Sequence, residues 1–244
     1  MESLENKRAF RTAISLAVFS VIFCLTAIAV CYFFFGYLNP DSTGVSASAS
    51  PVVVIDPGHG GRDGGCSSPF FSQSGQTVLE KDLNLSIAEK LAALFRISGY
   101  NVIMTRESDV MLDAEGLMGN AKMRDLRARL VIAQRYPDAT FISIHCNKFP
   151  NSVCSGLQVY YAEEQPPSKL IAEGIQASVI SLLQPQNHRV VKPAGSSIYV
   201  LDRAQQPSVL IECGFLSNPT DTELLTSPEY QTQLALAIIL PMLS

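Results

Sequence analysis

Residues 52–61 read VVVIDPGHGG. Four β-branched residues lead into Asp56-Pro57-Gly58, and His59 follows with two more glycines. An apolar run that stops at a Gly-rich turn reads as the first strand of an α/β unit. In such folds, ligands gather at the carboxyl edge of the sheet. The turn could cradle a phosphate, but it lacks the Lys-Ser/Thr of a phosphate loop and carries an acid and an imidazole instead. A nucleotide site, a metal site and a plain tight turn are all open at this point. The three glycines Gly58, Gly60 and Gly61 would let the backbone turn tightly around a ligating side chain.

Beyond this stretch, strand-like and helix-like runs alternate. Strands are expected at 52–56, 100–105 (YNVIMT), 140–145 (TFISIH), 157–161 (LQVYY), 197–201 (SIYVL) and 208–212 (SVLIE). Helices are expected at 83–97, 121–136, 167–183 and 229–243, where apolar residues recur at three-to-four spacing (Leu83, Ile87, Leu91, Leu94 and Phe95 in the first). Residues 106–120 are rich in Asp, Glu, Gly and Met and read as an irregular surface excursion. Strands alternating with helices imply an α/β sandwich with a mainly parallel sheet, and near-continuous apolar strands imply helices on both faces.

Residues 13–38 carry no charge and are long enough to cross a bilayer, which takes about 20 residues. Lys7, Arg8 and Arg11 precede them, so residues 1–12 are expected in the cytosol, 13–38 as a transmembrane signal anchor, and the remainder outside the cell membrane. Residues 39–50 (NPDSTGVSASAS) read as a flexible linker, and 51–244 as the exported folded domain. Ala47-Ser48-Ala49 offers the alternative of a cleaved signal and a secreted product, although the apolar run exceeds a usual signal core.

The 18 Lys+Arg against 22 Asp+Glu give a net charge of −4, which argues against a nucleic-acid binder. Of the cysteines, Cys66, Cys146, Cys154 and Cys213 lie in the domain without CxxC spacing, so neither a zinc ribbon nor a disulfide framework is indicated. Cys146 and Cys213, inside apolar strand-like runs, read as small buried hydrophobes, with a Cys146–Cys154 bridge as the alternative.

His59 follows the first strand, His145 ends TFISIH and Glu212 ends SVLIE. A parallel sheet collects strand ends at one edge, so these three residues should meet there whatever the function. A carboxylate at the end of a buried strand must be paired or neutralised. Two imidazoles near a carboxylate form the donor set of a catalytic zinc site, which needs a further carboxylate as general base. Glu80, in TVLEKDLNLS, starts near the same edge and can reach His59. It could equally be a solvated charge at a helix N-terminus. His188, after the turn QPQN, reads as surface. Asp56 could orient the His59 ring or cap the turn, and the cap is the simpler expectation.

The blocks VVVIDPGHGGRDGG, LEKDLNLSIAEKLAALF, DLRARLVIAQ, FISIHCN and VLIECGFLSNPTD resemble, in order and spacing, the zinc-dependent N-acetylmuramoyl-L-alanine amidases of the amidase-3 family. The resemblance spans about residues 51–243. It implies a mixed six-stranded sheet flanked by helices and one zinc ion held by His59, Glu80 and His145. It further implies Glu212 as the catalytic acid/base and peptidoglycan as substrate, cut between N-acetylmuramic acid and L-Ala of the stem peptide. An anchored catalytic domain without wall-binding repeats is similar to the amidases of spore cortex maturation and germination. The resemblance leaves a protein activator or lipoprotein partner open. Rival readings are an inactive, membrane-tethered peptidoglycan-binding scaffold on the same fold, a nucleotide-binding domain, and a zinc peptidase acting within the stem peptide.

Overall fold

The computed structural model describes residues 50–71, 75–113 and 116–243. The expected cytosolic segment 1–12, the anchor 13–38 and all but the last residue of the linker 39–50 lie outside the described residues. Among the described residues, no helix is long and apolar enough to cross a membrane.

In chain order the elements are β1 (Val52–Pro57), β2 (Ser67–Phe71), β3 (Thr77–Leu79), α1 (Glu80–Ile97), β4 (Asn101–Met104), α2 (Ala121–Gln134), β5 (Thr140–Asn147) and β6 (Gln158–Tyr161). They continue with α3 (Pro167–Leu182), β7 (Lys192–Pro193), α4 (Tyr199–Arg203), β8 (Ser208–Phe215), α5 (Pro219–Thr226) and α6 (Pro228–Ile239), and a 3-10 turn at Leu240–Met242 closes the series. Six strands form one sheet in the order β4-β1-β5-β8-β6-β7. β4, β1, β5 and β8 run parallel, and β6 runs antiparallel to β8. The sheet is therefore mixed and mainly parallel, as expected. β2 and β3 form a separate hairpin.

Strand alternation decides which residues fill which layer. Val53 and Ile55 of β1 pack with Ile87, Leu91 and Phe95 of α1 and with Leu234 and Ile238 of α6. Val54 points the other way, into a smaller cluster with Leu130 and Ala133 of α2, Phe141, Leu210, and Val200 and Leu201 of α4. Each such side chain contributes about 1.5–3 kcal/mol on burial. The two clusters clamp the sheet from opposite faces, so the residues at its carboxyl edge are held rigidly.

One expected strand needs correction. Residues 197–201 do not form a strand. Ile198 N donates to Gly195 O in a turn, and Tyr199–Arg203 then coil into the short helix α4. The apolar pair Val200 and Leu201 is buried against the sheet face rather than added to its edge. The sixth strand is instead β7, two exposed residues beside β6. The helix α5 was not expected either, although Pro219 stands in its first turn and the Asn218 side chain caps it by accepting from Asp221 N at 3.0 Å. Cys146 and Cys154 are not bridged, and all four described cysteines are free thiols. Residues 106–113 and 116–120 are irregular, as expected, though Arg106 at their start is buried.

Candidate metal and catalytic site

β1 ends in Pro57, and its chain turns back over the sheet edge through Gly58 and His59. His59 has φ +62°, the one left-handed residue other than glycine among those described. Such a conformation costs on the order of 1–3 kcal/mol and marks a functional constraint more often than not. Gly60 (φ +138°) and Gly61 (φ +57°) continue the turn, as the sequence suggested. Gly58 has a different reason. A Cβ there would overlap the His145 ring, so the loop lies against the imidazole because it has no side chain. Gly58→Ala is expected to push that ring aside and reduce activity roughly 10²-fold, since a displacement of about 1 Å costs that much. Circular dichroism should show the fold intact, and a variant of native activity would remove this role for Gly58.

α1 starts at Glu80, directly after β3. Its carboxylate is buried beside both imidazoles, with Oε1 lying 3.1 Å from His59 Nε2 and 2.9 Å from His145 Nδ1. Ligand atoms of His59, Glu80 and His145 all lie within 4.8 Å of one another. Backbone N–H groups of Cys66 (2.8 Å) and Cys146 (3.2 Å) also donate to Glu80. Burial opposes the charged carboxylate, but hydrogen bonds and charge from His145 and His59 overturn that and hold its pKa well below the usual carboxylate range. Glu80 is thus a fixed anion and not a solvated helix-end charge. On the far side of the ring, His59 Nδ1 stands 3.0 Å from Asp63 Oδ2. That contact directs Nε2 toward Glu80, as a ligating histidine requires.

β5 and β8 are in register at His145 and Glu212. Glu212 therefore lies beside the imidazole pair without ligating distance to it among the described contacts. It is half-buried, but its Oε2 is fully buried and has no hydrogen-bond partner among the described residues. Burial is the main cause that pushes its pKa up to about 7, with the nearby Glu80 charge adding to it and the two histidines opposing. A carboxyl poised near neutrality can both accept and return a proton. His59, His145 and Glu212 line a cavity of about 220 Å³, which Lys122 and Tyr199 also border. A larger hollow of about 620 Å³ near Cys154 and His188 contains none of them. His188 is exposed and stands apart, as expected. Cys146 is buried in the core beneath the site, facing away.

Two imidazoles and one carboxylate converge on a common point, with an orphaned second carboxyl alongside. This donor set fits a zinc-type divalent cation. Asp56 was misjudged. It neither caps the turn nor touches the His59 ring, but accepts from Thr105 Oγ1 (2.6 Å), Ser143 Oγ (2.7 Å) and Arg129 (2.7 Å) inside the domain. Asp63, Arg106 and Arg129 were not singled out from the sequence. Arg129 did leave a signal, a charged residue on the buried stripe of α2, four positions after Asp125.

Residues 53–242 match the family described as N-acetylmuramoyl-L-alanine amidase. The germination-specific N-acetylmuramoyl-L-alanine amidase of Bacillus subtilis (strain 168) is 36% identical over 189 residues, covering 77% of this chain and 76% of that protein. Among solved structures, the CwlD amidase of Clostridioides difficile, in complex with the GerS lipoprotein, superposes with a TM-score of 0.70 at 36% identity. That match covers 79% of this chain and 96% of CwlD. The amidase AmiC2 of Nostoc punctiforme superposes with a TM-score of 0.65 at 32% identity, covering 81% of this chain and 97% of AmiC2.

Proposed function

The chain belongs to the N-acetylmuramoyl-L-alanine amidase family and is a peptidoglycan amidase, and from that premise we propose that His59, Glu80 and His145 hold one zinc ion while Glu212 is the acid/base of the reaction. The bond cut joins the lactyl group of N-acetylmuramic acid to L-Ala of the stem peptide. The observation that supports these roles is the shared edge: three donor groups within 4.8 Å of one another, and Glu212 in register with one of them.

Zinc, when bound, supplies Lewis acidity, acidifying the attacking water and drawing charge from the amide carbonyl. Glu212 takes the proton of that water as the carbonyl is attacked. It then delivers the proton to the L-Ala nitrogen, which leaves as an amine. The buried setting of Glu212 keeps both transfers close to neutral in energy. Glu80, charged and gripped by two backbone N–H groups, stays unprotonated throughout.

The finer assignment is spore cortex processing, with the domain held on the outer side of the cell membrane by residues 13–38. It is supported by the germination-specific relative and by the uncharged run behind Lys7, Arg8 and Arg11. A lipoprotein partner is supported by the CwlD complex.

The test is mass spectrometry of products from defined muropeptides incubated with the chain and zinc. Peptides with a free L-Ala amino terminus and glycans with a free lactyl carboxyl are expected. Cleavage within the stem peptide would instead favour a peptidase, and binding without any release would favour a scaffold.

A further inference from the structure

Three successive backbone carbonyls, those of Pro57, Gly58 and His59, point into the domain beneath the metal loop. Two buried arginines take all of them. Arg106 donates from Nε to Pro57 O (2.9 Å) and from Nη2 to Gly58 O (3.0 Å). Arg129 donates from Nη1 to Pro57 O and from Nη2 to His59 O, both at 2.7 Å. Neither guanidinium is free to drift. Arg129 is fastened by Asp56 at 2.7 Å and by Asp125 at 2.7 Å. Arg106 reaches a second element, donating from Nη2 to Lys81 O at 2.8 Å. Lys81 follows Glu80 in the first turn of α1, and Asn84 of that helix donates to Gly58 O at 3.2 Å.

We propose that Arg106 and Arg129 form a clasp that sets the spacing between His59 and Glu80, and are positioning residues for the metal. The inference rests on the reading of His59, Glu80 and His145 as zinc ligands. A left-handed residue persists only where its surroundings over-determine it. Here the carbonyl of the strained residue itself is bound by Arg129, and the preceding two carbonyls by a pair of rigid forks. A guanidinium can serve two carbonyls and a carboxylate at once, whereas an ammonium is a single point. The clasp thus works through geometry as well as charge. Relaxation of His59 out of its left-handed state would swing Nε2 away from Glu80. Two charges on the arginines and two on Asp56 and Asp125 balance beneath the loop.

Arg129→Lys keeps the charge and removes the fork. In the full chain purified in detergent, zinc affinity, read by competition with a chromogenic chelator, is expected to fall roughly 10–100-fold. Saturating zinc should restore hydrolysis. Leu234→Ala serves as control, since it opens a cavity in the core on the opposite sheet face and should melt earlier with native zinc affinity. A folded Arg129→Lys protein that binds zinc as tightly as the native chain overturns the clasp, as does a control that loses zinc equally. Should Arg129→Lys fail to fold, Arg106→Lys tests the other half of the clasp, the carbonyls of Pro57 and Gly58, and native affinity there is equally fatal. A native chain with no zinc affinity removes the metal reading and the clasp with it, whereas native binding with unaffected variants removes the clasp alone.

Discussion

Glu212→Gln is expected to retain zinc, lose hydrolysis by roughly 10²–10⁴-fold, and melt higher than the native chain when metal-free. The loss of hydrolysis follows from removing the group proposed to move the proton. The higher melting temperature follows from its setting. Glu212 is half-buried, with one fully buried oxygen that has no partner among the described residues, and its pKa is pushed from 4.5 up to about 7. A carboxyl that is harder to ionise in the folded state than in the unfolded one makes folding less favourable as pH rises between those two values. Below the unfolded value both proteins carry a neutral group and the difference vanishes. At pH 7.5 the neutral amide should gain about 1–3 kcal/mol over the native carboxylate. That corresponds to about 2–4 °C in Tm per kcal/mol for a domain of this size. Thermal melts of chelator-treated protein at pH 4 and pH 7.5, beside a peptidoglycan assay, measure both effects. A variant that hydrolyses normally, or one that gains nothing at the higher pH, contradicts the role given to this residue.

His145→Ala is expected to lose stoichiometric zinc. Its imidazole is one of only two that reach Glu80 among the described residues, and a site reduced to one imidazole and one carboxylate holds a divalent ion far more weakly. Elemental analysis after dialysis should find little metal, and activity should fall with it. The vacated space beside Gly58 and the lost partner of Glu80 add a structural cost of about 1–3 kcal/mol. Glu80 retains His59 and the N–H groups of Cys66 and Cys146, so the protein should still fold. His59→Ala should lose metal in the same way. Unchanged zinc in either variant would strike that residue from the ligand set.

The parts of this site that could be read from the sequence are those that follow from strand ends. VVVID, FISI and SVLI are apolar enough to be central strands, and a parallel sheet must bring their ends together. His59, His145 and Glu212 therefore meet by topology alone. Glu80 was ambiguous by spacing, because a carboxylate at a helix start serves the dipole equally well, and the family blocks resolved it. Arg129 stood out only as a charge on a buried stripe; what it and Arg106 bind could not be read, because their acceptors are carbonyls about 50–70 positions earlier, and backbone acceptors leave no mark on composition. Asp56 was misjudged for the same reason, since its partners Thr105, Ser143 and Arg129 come from three separate elements or their ends. SIYVL misled because its three β-branched or aromatic residues, Ile198, Tyr199 and Val200, pack onto a sheet face as readily as they pair at its edge. The two-residue strand β7 is too short to carry any pattern.

β8 is the last strand among the described residues, yet it sits between β5 and β6. Before residues 208–215 emerge, the sheet is two unjoined pieces, β4-β1-β5 on one side and β6-β7 on the other. The strand that unites them also carries Glu212. A copy that ends before residue 208 therefore lacks both the strand that joins the sheet and the residue proposed as its acid/base. For a peptidoglycan amidase, the order of synthesis is itself a safeguard.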